Sequence, residues 1–411
     1  AWYRPDNVAL IVVGDIDVTA TEADIERLFG DEPTPDEALR PRPDTRFDLP
    51  VAPDFRLHRD PDQQTVDVEV TLPLPAFTSD GLAAQRAELL DVVVFDILVQ
   101  RLQRDLAEGV APFDDVTQGS NSFVSGLDAP ALYAFTDADR VRDTLVALLD
   151  EYQRAFVHGF TPAEVEISAA KVRALFETRF EGRTSTQERV YGDALVEHFL
   201  RDVAYPAIDV EFEIATAELD AITPEAVHER FAARWANTWP HVIISVPDSS
   251  ADRMPGADEV IGLIEATYGR DVAPRTDRRD LPDMLMQRPD PVEPTSITSL
   301  IDDGFTVFDP ALVTFDNGVR VVLNTNQIVA GETFFSGASP GGTSLIDDDD
   351  IIDALYATDV VTSGGVAEFN QSEVAQILAG ADTEVLAFLT PYQEQFAGSS
   401  QTADLEMLFQ L

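Results

Sequence analysis

The side chains that could carry metal or acid–base chemistry are few in this sequence and lie far apart. The five histidines are well separated along the chain: His58, His158, His198, His228 and His241. A zinc-binding helix of a metallopeptidase needs two histidines about one turn apart, with a glutamate beside them as general base. Glu197-His198 and His228-Glu229 each pair one histidine with one glutamate, but no second histidine follows on the same face. We therefore interpret the histidines as surface or hydrogen-bonded core residues, with a metal-ligand role as the alternative.

Three further stretches carry chemistry-bearing residues without completing a site. The glycine-rich stretch Gly337–Gly342 lacks the Lys-Ser/Thr pair of a phosphate-binding loop. The four carboxylates Asp347–Asp350 could bind a cation, but they lack the spaced ligands and the glycine of a calcium loop. We favour an interaction of these carboxylates with the dipole of the helix that follows. Ser120–Ser125 has no histidine and aspartate at a supporting spacing, and the sequence has no cysteine. We therefore predict no catalytic and no metal-binding residue in this chain, and its substrate-binding residues are unknown.

The composition is strongly acidic. Among 411 residues, 75 are Asp or Glu and 28 are Lys or Arg, so the net charge is −47, and Lys171 is the only lysine. Such a surface repels nucleic acid and anionic lipid. No window of the sequence has the uncharged apolar length of a membrane-spanning helix. The simplest interpretation is a solvated acidic surface. A more specific hypothesis is adaptation to high salt, which screens the repulsion between carboxylates; an acidic groove for basic peptides is a minor alternative.

The pattern of apolar residues predicts an α+β chain. The six-residue apolar run Val8–Val13 predicts a buried strand, and a short helix capped by Thr19 or Thr21 follows it. A buried strand needs neighbours on both sides, so we expect the chain to begin within a domain. Alternation over Thr65–Leu74 predicts a half-buried strand. Apolar residues at helical spacing predict a long helix over Gly81–Glu108.

The following part of the chain adds strands and paired helices. Further strands are predicted over 116–124, 131–136 and 241–246, and further helices over 138–158, 162–180, 185–200, 210–222 and 224–235. Thr161-Pro162-Ala163-Glu164 has the form of a capping box, with Thr161 as the cap and Pro162 in the first turn. This order is not a regular βαβ alternation. It favours helices packed on one face of a mostly antiparallel sheet.

From residue 249 the composition changes. Residues 249–304 are rich in Pro, Asp and Arg, contain one predicted helix at 257–268, and are expected to form an interdomain linker on a surface. A new domain is expected from residue 305, with a tight primed hairpin turn at Asn317-Gly318. Further strands are predicted at 332–335, 385–389 and 393–397, and further helices at 348–362, 372–378 and from 402. The last helical pattern runs to Leu411, so we also expect the chain to end within a domain.

Several short motifs occur in a fixed order along the chain. They are Tyr3-Arg4-Pro5-Asp6-Asn7 with the VALIVVGDID that follows, Gln100-Arg101-Leu102, residues 158–164 (HGFTPAE), 219–227 (LDAITPEAV), 315–321 (FDNGVRV), 339–342, 378–380 and 397–400. Together they resemble the pitrilysin/insulinase family of zinc metallopeptidases, the inverzincins. The most similar subgroup is the large bacterial single-chain form with two fused halves.

The resemblance implies a clamshell of four α+β domains, two in each half, with an extended linker between the halves. On that map, residues 1–45 are the C-terminal end of the first, catalytic domain, and residues 46–248 are the second domain. Residues 249–304 are the linker. Residues 305–411 are the N-terminal part of a third, catalytically silent domain, because its predicted helix at 348–362 has neither His nor Glu.

The resemblance also implies an activity for the full-length protein. The family binds zinc through an HxxEH helix and a more distant Glu in the first domain, and that motif does not occur in this sequence. The full-length protein would be a zinc metalloendopeptidase that cleaves peptides or unfolded proteins enclosed between its halves, in the periplasm or outside the cell. This chain would supply chamber wall, linker and silent domain, and would be inactive alone. The alternative is a non-catalytic homologue that binds peptide or acts as a scaffold or partner subunit.

Overall fold

The structure is a computed structural model of the chain. It describes most of the 411 residues, in these ranges: 4–33, 36–38, 50–75, 81–121, 127–201, 204–275, 281–282, 284–301, 310–326, 329, 331–347 and 349–411. The chain forms two compact units. Unit 1 comprises residues 1–173 and 186–279, and unit 2 comprises residues 174–185 and 280–411. The predicted boundaries at 45/46 and 304/305 lie outside the described residues, so the division into family domains stays a prediction.

The N-terminal apolar run does not form the strand that its composition predicts. Val8–Val13 is extended, but no described residue pairs with it, and Val8 and Leu10 are 61% and 54% exposed. A six-residue apolar run favours a strand, yet a strand forms only where a neighbouring backbone supplies its hydrogen bonds. The prediction of a buried strand is therefore wrong for this structure.

The first helix, α1 (Val18–Phe29), begins earlier than either predicted cap would place it. Its cap is Asp17, whose side chain accepts a hydrogen bond from the backbone N–H of Ala20 at 2.9 Å. The predicted caps Thr19 and Thr21 lie inside the helix. Aspartate and threonine both cap well, so sequence alone does not decide between neighbouring candidates.

A six-stranded sheet forms the centre of unit 1. In chain order its strands are β1 (Asp54–Arg59), β2 (Val66–Thr71), β3 (Leu74–Pro75), β4 (Asp115–Asn121), β5 (Leu127–Thr136) and β6 (His241–Val246). Their spatial order is β1-β6-β2-β5-β3, and β4 also pairs with β5. Only β1 and β6 run parallel among these pairs. The predicted strand 65–74 is divided between β2 and β3, with Pro73, which has no N–H to donate, in the interval.

Helices separate these strands along the chain, and some of them pack on the sheet. They are α2 (Leu82–Ala107), α3 (Val141–His158), α4 (Pro162–Glu181), α5 (Glu188–Arg201), α6 (Ile208–Asp220), α7 (Pro224–Trp235) and α8 (Ala257–Thr267). Helices α2, α3 and α8 contact strands, and α7 packs on α2 and α3. Along β6, Val242, Ile244 and Val246 are fully buried and alternate with partly exposed residues, as expected for a sheet with one covered face.

Aromatic side chains fill the centre of this helical layer. Tyr152 on α3 and Trp235 on α7 are fully buried, with ring centroids 5.4 Å apart, and Tyr268 stacks on Trp235 at 4.7 Å. The hydroxyl of Tyr152 donates to the carbonyl of Val70 on β2 at 3.2 Å. These rings join α3, α7 and the sheet into one core.

Unit 2 contains two three-stranded antiparallel sheets. Strands β7 (Ser296–Ser299), β8 (Ala311–Thr314) and β9 (Arg320–Leu323) form one of them, and β10 (Glu332–Pro340), β11 (Thr383–Leu389) and β12 (Gln393–Gln401) form the other, in the order β10-β12-β11. Its helices are α9 (Ile351–Gly364), α10 (Gln371–Ile377) and α11 (Leu405–Leu408). A turn joins β8 to β9 at the predicted place, but it is not the predicted primed turn. The N–H of Gly318 donates to the carbonyl of Phe315 at 3.1 Å, so Asp316 and Asn317 are the central residues, and the positive φ of +89° belongs to Gly318 and not to Asn317. The α+β class predicted from the sequence is confirmed.

Candidate functional site

His158 and His228 are each hydrogen-bonded to the main chain. His158, at the end of α3, contacts the carbonyl of Val272 through Nε2 at 2.6 Å. His228, on α7, contacts the carbonyl of Phe156 through Nε2 at 2.8 Å. A carbonyl oxygen only accepts, so Nε2 carries the proton in both rings. These contacts give both histidines a role inside the fold of unit 1.

The other histidines lie on separate elements. His58 on β1 and His198 on α5 are exposed, and His241 at the start of β6 is partly buried. Burial lowers the pKa of His241, and the nearby Asp54 opposes this effect. Among the described residues, no group of three or more His, Asp or Glu side chains is placed to hold a metal ion. The part of the chain that the structure describes therefore does not fit a zinc site.

The remaining sequence candidates also fall on regular elements. Gly337 lies within β10, and Asp350 immediately precedes α9, where a carboxylate is close to the positive end of the helix dipole. Ser120 belongs to β4, and residues 122–126 of the predicted small polar stretch lie outside the described residues. The structure brings none of these candidates together with a histidine in the described ranges.

A buried ion pair joins two motifs that the sequence resemblance singles out. Arg101 on α2 donates from Nε and Nη2 to the two carboxylate oxygens of Glu164 on α4, at 2.8 and 2.7 Å. Both side chains are at most 3% exposed. Arg101 also donates to the carbonyl of Gly159 at 2.9 Å and lies 5.0 Å from the ring centre of Phe160. The Arg-Leu motif and the HGFTPAE motif thus meet in one contact.

Local structure fixes Glu164 in this position. It is the third residue after the cap Thr161, its backbone N–H donates to the Thr161 hydroxyl at 3.3 Å, and its carboxylate accepts from the Thr161 backbone N–H at 2.9 Å. The predicted capping box is confirmed. Burial alone would lower the pKa of Arg101, but the hydrogen bonds and charges of Glu164 and Glu151 outweigh it and raise that pKa. The two carboxylates therefore stabilise the charged form of Arg101.

The ion pair extends into a network of three arginines and three carboxylates. Arg101 also donates to Glu151 on α3 at 3.1 Å. The second carboxylate oxygen of Glu151 accepts from Arg154, and from Arg275 at 2.5 Å. Arg275 makes two further hydrogen bonds to Asp105 at the end of α2, at 2.5 and 2.8 Å. We call these six residues (Arg101, Asp105, Glu151, Arg154, Glu164 and Arg275) the charge network; its formal charges sum to zero.

Helix α2 makes two more ion pairs along its length. Asp91 accepts two hydrogen bonds of 2.9 Å from Arg230 on α7 and lies 2.6 Å from Arg234. Asp96 accepts from the only lysine, Lys171 on α4, at 2.6 Å. Helix α2 is therefore connected by charged side chains to α3, α4, α7 and the segment that carries Arg275.

This arrangement can position elements, but it offers no reactive group. A guanidinium group stays protonated and has no free lone pair, so it is a poor nucleophile and a poor base. A buried charged pair fixes geometry, since a shifted helix would leave a charge without its partner. We therefore regard the charge network as the framework of unit 1.

One sheet of unit 2 exposes apolar side chains. On the sheet β10-β12-β11, the strand register places Phe334, Leu386 and Phe388 on one face, where they are 70%, 48% and 39% exposed. Apolar side chains grouped in this way mark contact surfaces for peptides or for other domains. We call this the open sheet face.

Sequence reasoning did not identify Asp105, Glu151 and Arg275 as members of the network. Arg101 and Glu164 were noticed only through short motifs, and Arg275 lies in the stretch predicted as linker. Apart from Glu151 and Arg154, which are three residues apart, the partners are separated by 50 to 170 residues along the chain. A weak signal existed for Glu151 alone, since a carboxylate in the middle of a strongly apolar helix needs a partner.

Comparison with known proteins identifies the fold. Residues 1–172 match the family described as Peptidase M16 inactive domain. A zinc protease PQQL-like protein of Arabidopsis thaliana is 22% identical over 386 residues, which cover 93% of this chain and 36% of that protein. A probable zinc protease PqqL of Haemophilus influenzae is 21% identical over 419 aligned positions, covering all of this chain and 44% of its own length.

A solved structure agrees with these matches. The periplasmic protease PqqL of Escherichia coli superimposes with a TM-score of 0.61 at 18% identity, over all of this chain and 44% of that protein. This likeness shows a shared fold. The chain spans less than half the length of the curated relatives it matches. No helix among the described residues is long and apolar enough to cross a membrane. The resemblance to the insulinase family of M16 peptidases is confirmed.

Proposed function

We propose that this chain, which has the fold of the insulinase (M16) peptidases, acts as part of a zinc-dependent metalloendopeptidase that encloses peptides between two halves. The observation that carries the proposal is the match of residues 1–172 to the M16 inactive domain, together with a fold shared over the whole chain with a protease. Within that protein the chain would form chamber wall, connecting segment and part of a catalytically silent domain. Zinc would be bound by residues other than those described here.

The proposed division of labour follows the map drawn from the sequence. Residues 1–45 would complete the catalytic domain, residues 46–248 would form the second domain, residues 249–304 would join the halves, and residues 305–411 would belong to the silent third domain. The exposed run Val8–Val13 supports the first assignment, because its apolar side chains need a partner surface. A periplasmic location is part of the proposal, since the similar Escherichia coli protease is described as periplasmic.

The second candidate is a non-catalytic homologue that holds peptide or acts as a scaffold or partner subunit. Two observations favour keeping it. The matching family is described as an inactive domain, and the described residues contain no group able to hold a metal. The open sheet face would serve a peptide-holding protein as well as a chamber wall.

A paired measurement separates the two. The protein encoded by the complete gene and the 411-residue chain are purified, their zinc content is measured, and cleavage of quenched fluorescent peptides is followed with and without a chelator. We expect stoichiometric zinc and chelator-sensitive cleavage for the complete protein, and neither for the chain alone.

Each alternative has its own result. A complete protein that binds peptide without zinc and without cleavage would replace the peptidase proposal with the scaffold candidate. Stoichiometric zinc and chelator-sensitive cleavage by the 411-residue chain alone would refute both, because the active site would then lie within it.

A further inference from the structure

The segment that follows α8 makes several contacts with unit 1, although its composition predicts a linker. Tyr268 stacks on Trp235, and its hydroxyl donates to the carbonyl of Thr238 at 2.8 Å. Arg270 pairs with Asp150 on α3 at 2.5 Å. We call residues 268–275 the strap. Its first residue, Tyr268, is held by the stacking contact and by the hydrogen bond.

The middle of the strap lies against the last turns of α3. Val272 is 7% exposed, and its carbonyl accepts the hydrogen bond from His158. The next carbonyl, that of Ala273, accepts from Arg154 at 2.9 Å. Side chains of α3 thus satisfy two successive backbone carbonyls of a segment that has no regular secondary structure of its own.

The strap ends in the charge network. Arg275 is bound by both carboxylate oxygens of Asp105 and by Glu151. Glu151 is fully buried and Arg275 is 14% exposed, so water screens their attraction weakly. Because Glu151 also binds Arg101, the end of the strap is tied to the same carboxylate that organises α2 and α3.

We propose that Arg275 is a terminal lock, which makes residues 268–275 a rigid extension of unit 1. The lock is local: its loss frees the strap and leaves the core of unit 1 folded. The lock does not rest on the proposed function.

The absence of cysteine from the sequence allows a direct test. A single cysteine is placed at Val272 in the strap, or at Val260, a fully buried residue of α8, as the control probe for the core. The rate of thiol labelling then reports how often each position becomes exposed to solvent. Each probe is measured alone and combined with Arg275→Gln. The exposed pair Arg189–Asp193 supplies a matched control, Arg189→Gln, which removes an arginine far from the strap in sequence.

We expect Arg275→Gln to accelerate labelling at position 272 by roughly 10- to 100-fold, the effect of losing hydrogen bonds between charged groups. Labelling at position 260 should stay unchanged, and Arg189→Gln should change neither rate. Equal acceleration at both positions would overturn the proposal, since Arg275 would then support the whole unit. Unchanged labelling at position 272 would overturn it as well.

A second variant keeps the test decisive if Arg275→Gln does not fold. Asp105→Asn removes one carboxylate from the lock and leaves Glu151 bound to Arg275. It should accelerate labelling at position 272 by a smaller factor, again without effect at position 260, and no acceleration would count against the lock. None of these rates depends on zinc or on peptide cleavage. The lock can therefore fail while the proposed peptidase function holds, and the reverse is equally possible.

Discussion

Replacing Arg101 by methionine is the sharpest test of how unit 1 is held together. Methionine has a similar length and removes the charge, so Glu164 loses two hydrogen bonds of 2.7 and 2.8 Å while the apolar contacts of the side chain are largely kept. The Gly159 carbonyl loses a third hydrogen bond. Glu151 is affected less, because Arg154 and Arg275 still bind it.

The expected loss of unfolding free energy follows from these contacts. Hydrogen bonds to charged groups contribute about 1.5–3 kcal/mol each, and removal of one partner from a buried ion pair costs about 3–5 kcal/mol. Arg101 and Glu164 are 1% and 3% exposed, so little of this is lost to screening by water. We therefore expect Arg101→Met to destabilise unit 1 by about 3–5 kcal/mol, a large share of the roughly 5–15 kcal/mol of a typical domain.

Tryptophan fluorescence during urea unfolding measures this quantity for unit 1. Two of the three tryptophans, Trp235 and Trp239, lie in that unit beside Tyr268, and Trp2 lies outside the described residues. A probe confined to one unit is needed, because a chain of two units need not unfold in one step. Arg189→Met is the matched control, because the ion pair of Arg189 with Asp193 is exposed. We expect its free energy of unfolding to equal that of the unmodified chain within error.

Two further variants determine whether the ion pair itself is responsible. Arg101→Lys keeps the charge but loses the planar fork that binds both oxygens of Glu164. Its free energy of unfolding should therefore lie between those of Arg101→Met and the unmodified chain. Combining Arg101→Met with Glu164→Gln removes both charges and should be less destabilising than the sum of the single changes. A loss below about 1 kcal/mol for Arg101→Met, or strict additivity in the double variant, would refute the reasoning.

Three other outcomes follow from the structure. Gly159→Ala should destabilise unit 1 by about 1–3 kcal/mol, measured by thermal unfolding, because Gly159 has φ +69° and a Cβ would lie 3.0 Å from the ring of His228. His228→Ala removes that ring and should relieve only the steric part of the destabilisation. A Gly159→Ala variant as stable as the unmodified chain would contradict the prediction. Burial lowers the pKa of His241 below its ordinary 6.5. Just below that pH the unfolded chain therefore binds more protons than the folded chain. The stability that His241 contributes above pH 6.5 is lost as the pH falls through the folded-state pKa. His241→Gln should flatten that decline in acid unfolding curves. Stability should also rise with salt up to molar concentration, and a protein no more stable there than at low salt would count against salt adaptation.

Periodicity predicted the elements of unit 1 well wherever packing follows from local pattern. Helix α2 spans Leu82–Ala107 against a predicted 81–108, and strand β6 spans the predicted 241–246. The capping box at Thr161 was predicted in detail, because its two partners lie three residues apart. Such features depend on neighbours in the sequence, and the sequence displays them directly.

Features that depend on distant partners were not predictable in this way. The run Val8–Val13 has the composition of a buried strand, but whether a strand forms depends on a neighbouring backbone that composition does not reveal. Arg275 lies in a stretch rich in Pro, Asp and Arg, which is typical of linkers. Only the fold shows that Asp105 and Glu151 lie opposite it, 170 and 124 residues away. The charge network could not be predicted for the same reason, because most of its contacts join residues that are far apart in the sequence.

The distribution of the few basic residues gives the acidity of the protein a structural meaning. Only 28 residues are basic, yet buried or half-buried carboxylates such as Asp91, Asp96 and Glu151 each have an arginine or lysine beside them. The excess negative charge must therefore lie mainly on the surface, where salt screens repulsion, while the interior pairs are screened much less. It follows that salt should stabilise Arg101→Met with the same slope as the unmodified chain, because the two differ only inside. A markedly different slope would show that salt acts through the charge network rather than through the surface.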